Sequence, residues 1–328
     1  MSLSDKIKNK ALELGFDIIG ITDASDIGTE QTEAIKNWLD AGFAGQMNYM
    51  HRNLQKRTNP ANLLENAQSV IVAGLNSKPP QQNQQETEPR QKNISTHTHT
   101  VEASEPAGRV ARYALYEDYH QFIKQRLYVL SDFISSLSTE QIRSKVCVDS
   151  VPLAERALAV RAGLGFIGKN HMLIHPKLGP EIFLGEIITT LKLQCDKPIA
   201  GNCGKCTKCI DTCPTGALKA DGRFAADKCI NYLTIEYKGE IPPEAAKKIG
   251  NRLFGCDECV RVCPYQKKAP ARTNTQLKYY PQRADIPLMK ISELSEEAFE
   301  AEFSNSSLKR TGLNALKRNA RICLQNLK

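Results

Sequence analysis

The chain has 328 residues, 41% hydrophobic and 24% charged, enough to bury a sizeable core and too apolar for a disordered tail. No apolar run reaches the roughly 18 to 20 residues that cross a bilayer, and MSLSDKIKNKALELGF is charged and amphipathic, so a cytoplasmic protein with no membrane partner is expected. Lys and Arg (44) outnumber Asp and Glu (36), a mild excess that suits a polyanionic partner such as RNA.

Ser4 reads as the N-cap of a helix carrying Ile7, Ala11 and Leu14, followed by the strand FDIIGIT. A helix is expected over Thr32 to Ala41 and a buried strand over Ser69 to Leu75. Residues 76–106, rich in Gln, Thr, Glu and Pro, read as a flexible surface insertion whose His97 and His99 are solvated. Beyond it come a helix from Tyr119 to Phe133, a strand near KVCVD, a helix from Pro152 to Ala162 and a strand over Glu181 to Thr189. This alternation predicts an α/β domain over 1–195. A cysteine-rich segment (196–272) and a basic helical tail (273–328) follow. The tail is most simply one member of a packed helical pair, with RNA contact as the sharper alternative.

Of the 11 cysteines, eight lie between Cys203 and Cys263, and a reducing cytosol argues against disulfides. Cys203, Cys206, Cys209 and Cys213-Pro214 spell C-x2-C-x2-C-x3-C-P, the bacterial ferredoxin run in which the fourth cysteine serves the other cluster. Cys256, Cys259 and Cys263-Pro264 repeat its second half, and Cys229 completes the eight thiolates that two [4Fe–4S] clusters require. Pseudo-symmetry assigns Cys203, Cys206, Cys209 and Cys263 to one cluster, and Cys213, Cys229, Cys256 and Cys259 to the other. Zinc, the competing reading of C-x2-C pairs, does not use doubled Cys-Pro ends. Cys147, Cys195 and Cys323 are expected to be buried small hydrophobes.

GLGFIG (Gly163, Gly165, Gly168) matches G-x-G-x-x-G, but a helix precedes it and a strand follows, the reverse of a dinucleotide site. A tight helix-to-strand turn is expected instead. Asp118 and His120 begin a D-x-H-x-x-G cobalt-ligand signature that Ile123 breaks, which favours a helical surface. A two-cluster relay needs an endpoint, so the first domain is expected to hold a cofactor or substrate. Its polar candidates are Arg57, Tyr113, Asp149, Glu155, Arg156, Lys169 and Asn170. Asp149 stands out because it ends an apolar strand and opens a turn, an N-cap near Pro152 being its plain alternative.

The segments GQMNYMHR, ARYALYEDYH, VDSVPLAERALAVRAGLGFIGKN, IFLGEI, CGKCTKCIDTCPTGAL, CINYLTIEYKG and NRLFGCDECVRVCPY, in order from Gly45 to Tyr265, resemble the epoxyqueuosine reductase family. The resemblance implies an α/β cobalamin-binding domain related to that of reductive dehalogenases, a bacterial ferredoxin-like two-cluster domain and a short C-terminal helical, HEAT-like segment. It implies that two [4Fe–4S] clusters feed electrons to cobalamin, and that Asp149 is the proton donor when epoxyqueuosine at the tRNA wobble position becomes queuosine. Burial is expected to raise the pKa of Asp149 so that it can act as an acid.

On this reading Arg57, Tyr113, Asp149, Lys169, Asn170, Asn231 and Asp257 contact cobalamin between the two domains. Tyr237, Lys238, Lys317, Arg318 and Arg321, with Lys309 and Arg310, form a basic track for the tRNA anticodon stem-loop. An external electron donor and a monomer are expected. A reductive dehalogenase of small molecules and a non-catalytic ferredoxin-type electron carrier are the competing functions. Corrinoid binding separates the enzyme from the carrier.

Overall fold

The computed structural model describes residues 1–80 and 105–328, so His97, His99 and most of the expected insertion lie outside the described residues. Among the described residues nine strands follow in chain order: β1 (Ile18–Asp23), β2 (Ser69–Asn76), β3 (Ala107–Val110), β4 (Ser144–Cys147), β5 (Phe166–Ile167), β6 (Leu173–Ile174), β7 (Ile182–Thr189), β8 (Arg252–Phe254) and β9 (Asp285–Pro287). The main sheet has the order β1-β2-β7-β4. All its pairings are antiparallel, so the expected α/β layers are present but not the parallel sheet that helix–strand alternation usually signals. The register shows why: Asp23 lies opposite Ser69 and Asn76 opposite Ile182, so each long connection re-enters the sheet at the end it left.

Strand periodicity then distributes the apolar side chains. On one face Ile71, Ala73 and Leu75 meet Ile7 and Ala11 of the helix Leu3–Glu13 and Ile123, Leu127 and Leu130 of the helix Tyr119–Ser136. On the other, Val70, Val72 and Ile188 meet Leu158 and Ala159 of the helix Glu155–Arg161. Ser2, not Ser4, caps the first helix, in a capping box with Asp5. Ser4 is buried and exchanges hydrogen bonds with the backbone of Gln194 at 3.0 and 3.2 Å. The second helix runs from Thr29 to Asp40. GLGFIG is the expected turn, with Gly163 at φ 77° between a helix end and β5. The expected insertion starts too early: Asn76 belongs to β2, Ser77 is buried, and Lys78 donates to the carbonyl of Gln266 at 2.9 Å. Cys147 and Cys323 are buried as expected, whereas Cys195 is exposed, because it follows the sheet in an extended stretch with little above it.

A smaller sheet, β8-β3-β9, draws its strands from three distant parts of the chain. β3 pairs parallel with β8 and antiparallel with β9. Under it one apolar core joins Val110 and Leu115, Ile230 and Leu233, Leu253 and Phe254, and the tail residues Phe299, Phe303, Leu316 and Ala320. The tail helices Leu288–Glu293, Glu296–Phe303 and Leu313–Asn326 thus share a core with the latter half of the cysteine-rich segment. Among the described residues no helix is long and apolar enough to cross a membrane.

Candidate active site

Just beyond β4 the chain turns sharply at Asp149, which holds a left-handed φ of 46° that is rare outside glycine and asparagine. The turn is pinned by its own N–H, which donates to Glu155 Oε1 at 2.7 Å. The helix Glu155–Arg161 begins after Ala154, so Asp149 is not its N-cap. Asp149 Oδ2 lies 3.0 Å from Nε2 of His120, whose Nδ1 lies 2.6 Å from Asp118 Oδ1. Asp118 also caps the helix Tyr119–Ser136. Tyr119 stacks between the imidazole and Phe183, fixing the ring.

Two carboxylates on the two ring nitrogens favour imidazolium. Burial alone would lower the pKa of His120, but the bonds to Asp118 and Asp149 outweigh it and push it up to about 9. The same bond from His120 holds the Asp149 carboxyl below the ordinary carboxylate range, outweighing burial. This corrects the expectation of a burial-raised aspartic acid: the Asp149 side chain is 46% accessible, and its partner is a cation. His120 is therefore part of the site rather than an idle helical surface.

Arg57 and Tyr113 lie close to Asp149. The charge of Asp149 reaches both, and burial raises the Tyr113 phenol. Arg57 Nε is buried without a hydrogen-bond partner, and Gly255, at φ 72°, packs so closely that a Cβ there would lie 2.8 Å from Ala111 and 2.9 Å from Asn231 Oδ1. An orphaned buried donor suits an amide-rich cofactor such as cobalamin. Tyr49 and Arg310 complete the surroundings, both within electrostatic reach of Asp149. Tyr49, in a four-residue helix, did not stand out in the sequence, and Arg310, from the tail, was expected only on the RNA track.

The other expected cofactor contacts are placed differently. Lys169 Nζ donates to the carbonyls of Gly204 (2.9 Å) and Cys206 (3.1 Å), and its N–H lies 3.4 Å from Cys203 Sγ. Asn170 donates to the carbonyl of Cys259 at 3.3 Å. Both therefore brace cluster loops. Asn231 accepts from the N–H of Cys256 at 2.8 Å and Asp257 from that of Arg112 at 3.2 Å.

Cys203, Cys206, Cys209 and Cys263 line one cavity of about 510 Å³, the expected first group. Cys229 and Cys259 each lie within electrostatic reach of Cys213 and Cys256, which gathers the second group. Backbone N–H groups of Thr215, Ala217 and Leu218 are directed at Cys213 Sγ, the arrangement that stabilises a cluster thiolate. Among the described residues no three His, Cys, Asp or Glu side chains converge on a single-ion site.

The basic track divides in two. Arg318 is only 6% exposed and donates to the carbonyls of Leu233, Tyr237 and Gly239 at 2.8, 2.8 and 2.6 Å. Lys238 Nζ lies within 3.4 Å of the carbonyls of Ile235, Arg310 and Thr311. These two cations are consumed by the backbone around the π-helical turn Tyr232–Glu236 and are not free for phosphate, a correction to the expected track. Tyr237 packs beside Tyr232. Lys317 and Arg321 line an open cavity of about 560 Å³ beside Glu240. Lys309 and Arg310 pair with Glu300 and Glu236.

Two family models match: "Epoxyqueuosine reductase QueG, DUF1730" over residues 57–150 and "4Fe-4S double cluster binding domain" over residues 202–266. The epoxyqueuosine reductase of Leadbetterella byssophila is 38% identical over 319 residues, covering 96% of each chain. That of Vibrio cholerae is 36% identical over 326 residues, covering 99% of this chain and 83% of its own. Among solved structures, epoxyqueuosine reductase from Streptococcus thermophilus superposes with a TM-score of 0.85 at 31% identity, over 100% of this chain and 82% of its own. An epoxyqueuosine reductase bound to an epoxyqueuosine-modified tRNA-Tyr stem loop gives 0.86 at 33% identity, over 99% and 81%. With such identity spread along nearly its whole length, the chain belongs to the epoxyqueuosine reductase family.

Proposed function

We propose that this chain reduces epoxyqueuosine at the tRNA wobble position to queuosine, drawing electrons from an external donor through two [4Fe–4S] clusters to cobalamin, with Asp149 as proton donor. The observation that carries the reading is the His120–Asp149 pair, whose part-exposed Asp149 has Arg57 and Tyr113 within electrostatic reach, while Asn231 and Asp257 bond to the backbone at Cys256 and Arg112. A relative of this chain has been solved with the modified stem loop.

Reduction of an epoxide to an alkene takes two electrons and two protons and releases the oxygen as water. Cobalamin, when bound, supplies the electrons. Arg57, Tyr113 and Asn231 offer side chains for its amides and phosphate. Solvent water supplies the second proton, which turns the departing hydroxide into water, and the chain itself handles the first. His120 stores it between Asp118 and Asp149, and Asp149, the more open of the two carboxylates, passes it to the departing oxygen. A carboxylate with a lowered pKa can do this because the imidazolium behind it supplies the proton it relays. Lys317 and the exposed Arg321 are the cations left to meet RNA, and the enzyme works as a monomer.

The test is anaerobic spectroscopy with added cobalamin, followed by turnover of an epoxyqueuosine-bearing stem loop by Asp149→Asn. Clusters and corrinoid should bind in the variant while turnover falls ~100-fold or more, the scale of a positioned acid. Near-normal turnover with both cofactors verified would remove Asp149 from the mechanism. A chain that took up clusters but no corrinoid would be a carrier.

A further inference from the structure

Behind the Asp149 turn lies a second acid that the proposed mechanism does not use. Glu186 sits in β7 opposite Cys147 of β4, two residues before Asp149, and has no exposed surface. Neither of its carboxyl oxygens meets a hydrogen-bond donor from the surrounding protein. The carboxyl group of Glu155 lies within hydrogen-bonding contact of it, and the charge of Asp149 also reaches it. Glu155 is the residue whose Oε1 accepts the Asp149 N–H.

Two carboxyl groups in contact inside a dry sheet cannot both be ionised. Like charges at that distance drive one proton onto the pair, as burial already does for each group separately. The groups facing the pair from neighbouring elements do not alter this. Asp149 adds a further negative charge, and Cys147 and Tyr119 are neutral at physiological pH because burial raises both. Arg156 and Arg57 come within electrostatic reach of Glu155, yet neither forms an ion pair with Glu155 or Glu186 among the described residues. Arg156 is turned instead to the carbonyl of His171.

We infer that Glu186 is the protonated member of this pair, donating to Glu155, and that the shared proton positions the proton-donor turn. With Glu186 as O–H donor, Glu155 remains an anion and accepts from both Glu186 and the Asp149 N–H. That second bond is what holds a non-glycine residue at φ 46°. Loss of the shared proton sets two charges against each other in the sheet interior, Glu155 withdraws, and the turn loses its anchor. Glu186 is a positioning residue, acting through Glu155, and its part in the reaction rests on Asp149 being the proton donor.

The experiment pairs infrared spectroscopy of the cluster-loaded protein with pH–rate profiles of Glu186→Gln and Glu155→Gln. Both variants are isosteric, and in Glu186→Gln the amide N–H replaces the donated O–H without a titratable proton. The wild type should show a carboxylic-acid carbonyl band at neutral pH that shifts in D2O, and Glu186→Gln should lose it. Glu155→Gln, where burial alone still protonates Glu186, should keep it at a changed frequency. Glu186→Gln should keep kcat within ~3-fold at neutral pH and lose the part of the alkaline decline that the pair causes. A wild type without the band, a band that persists in Glu186→Gln, or a Glu186→Gln profile that superimposes on the wild type overturns the inference. If Asp149→Asn stays active while the band behaves as expected, the shared proton stands and its catalytic role falls.

Discussion

Nε2 of His120 lies 3.0 Å from Asp149 Oδ2, and because Asp118 occupies the other ring nitrogen, only a doubly protonated ring satisfies both carboxylates. Raised from 6.5 to about 9, the pKa of His120 makes its stabilising contribution full below about 6.5 and lost as pH climbs through about 9. Asp149, with its pKa lowered, contributes above the ordinary carboxylate range and loses that contribution as pH falls through the lowered value. The ion pair therefore spans neutral pH.

Turnover should accordingly hold level through neutrality, apart from the decline assigned to the Glu155–Glu186 pair, and drop above about pH 9. His120→Gln should remove that upper limb and lower kcat ~10-fold or more, with KM for the stem loop little changed. A pH–rate profile of the two proteins checks this. Equal kcat would place the stored proton elsewhere.

Crossed ligation makes a sharper prediction than cluster content alone. Cys263→Ala and Cys203→Ala, sixty residues apart in sequence, should abolish the same cluster signal in electron paramagnetic resonance, whereas Cys229→Ala should abolish the other. Iron should fall from about eight atoms per chain to about four in each case. Separate losses for Cys203 and Cys263 would break the assignment.

Arg318 should behave as a structural residue. Arg318→Ala leaves the carbonyls of Leu233, Tyr237 and Gly239 without their donor, and a loss on the order of 2–4 kcal/mol is expected in denaturant unfolding. The salt dependence of stem-loop binding by the folded variant should match that of the wild type.

Lys317 and Arg321 should show the opposite pattern. Both lie at an open cavity, so Lys317→Ala and Arg321→Ala should leave unfolding nearly unchanged and weaken binding. Each should flatten the slope of log affinity against log salt by about 0.7 to 0.9. An unchanged slope in both would take the last helix out of the RNA surface.

The double-cluster segment was legible in the sequence because cysteine spacing along a short loop limits which thiolates can share a cube. The elements around Asp149 were legible too, since KVCV and EIFLGEIIT alternate or run apolar in ways only strands do. Strand direction was not, because helix–strand alternation is the same whether a connection crosses the sheet or returns to its starting edge. Nor was His120, whose role depends on a partner 29 residues away, or Glu186, an acid inside an apolar strand. The fate of Arg318 and Lys238 shows the limit of charge counting: a cation in a basic run is free for phosphate only if no backbone carbonyl has taken it.

The small sheet β8-β3-β9 has a kinetic consequence. By hydrogen-bonding a strand from the residues before Tyr113 to one just ahead of Cys256 and another from the tail, it fixes the neighbourhood of Tyr113 and the clusters in a single packing arrangement. On the proposed relay, electrons would need no docking of one domain against another, so their passage should be insensitive to solvent viscosity. Only the proposed encounters with tRNA and an external reductant would remain subject to diffusion.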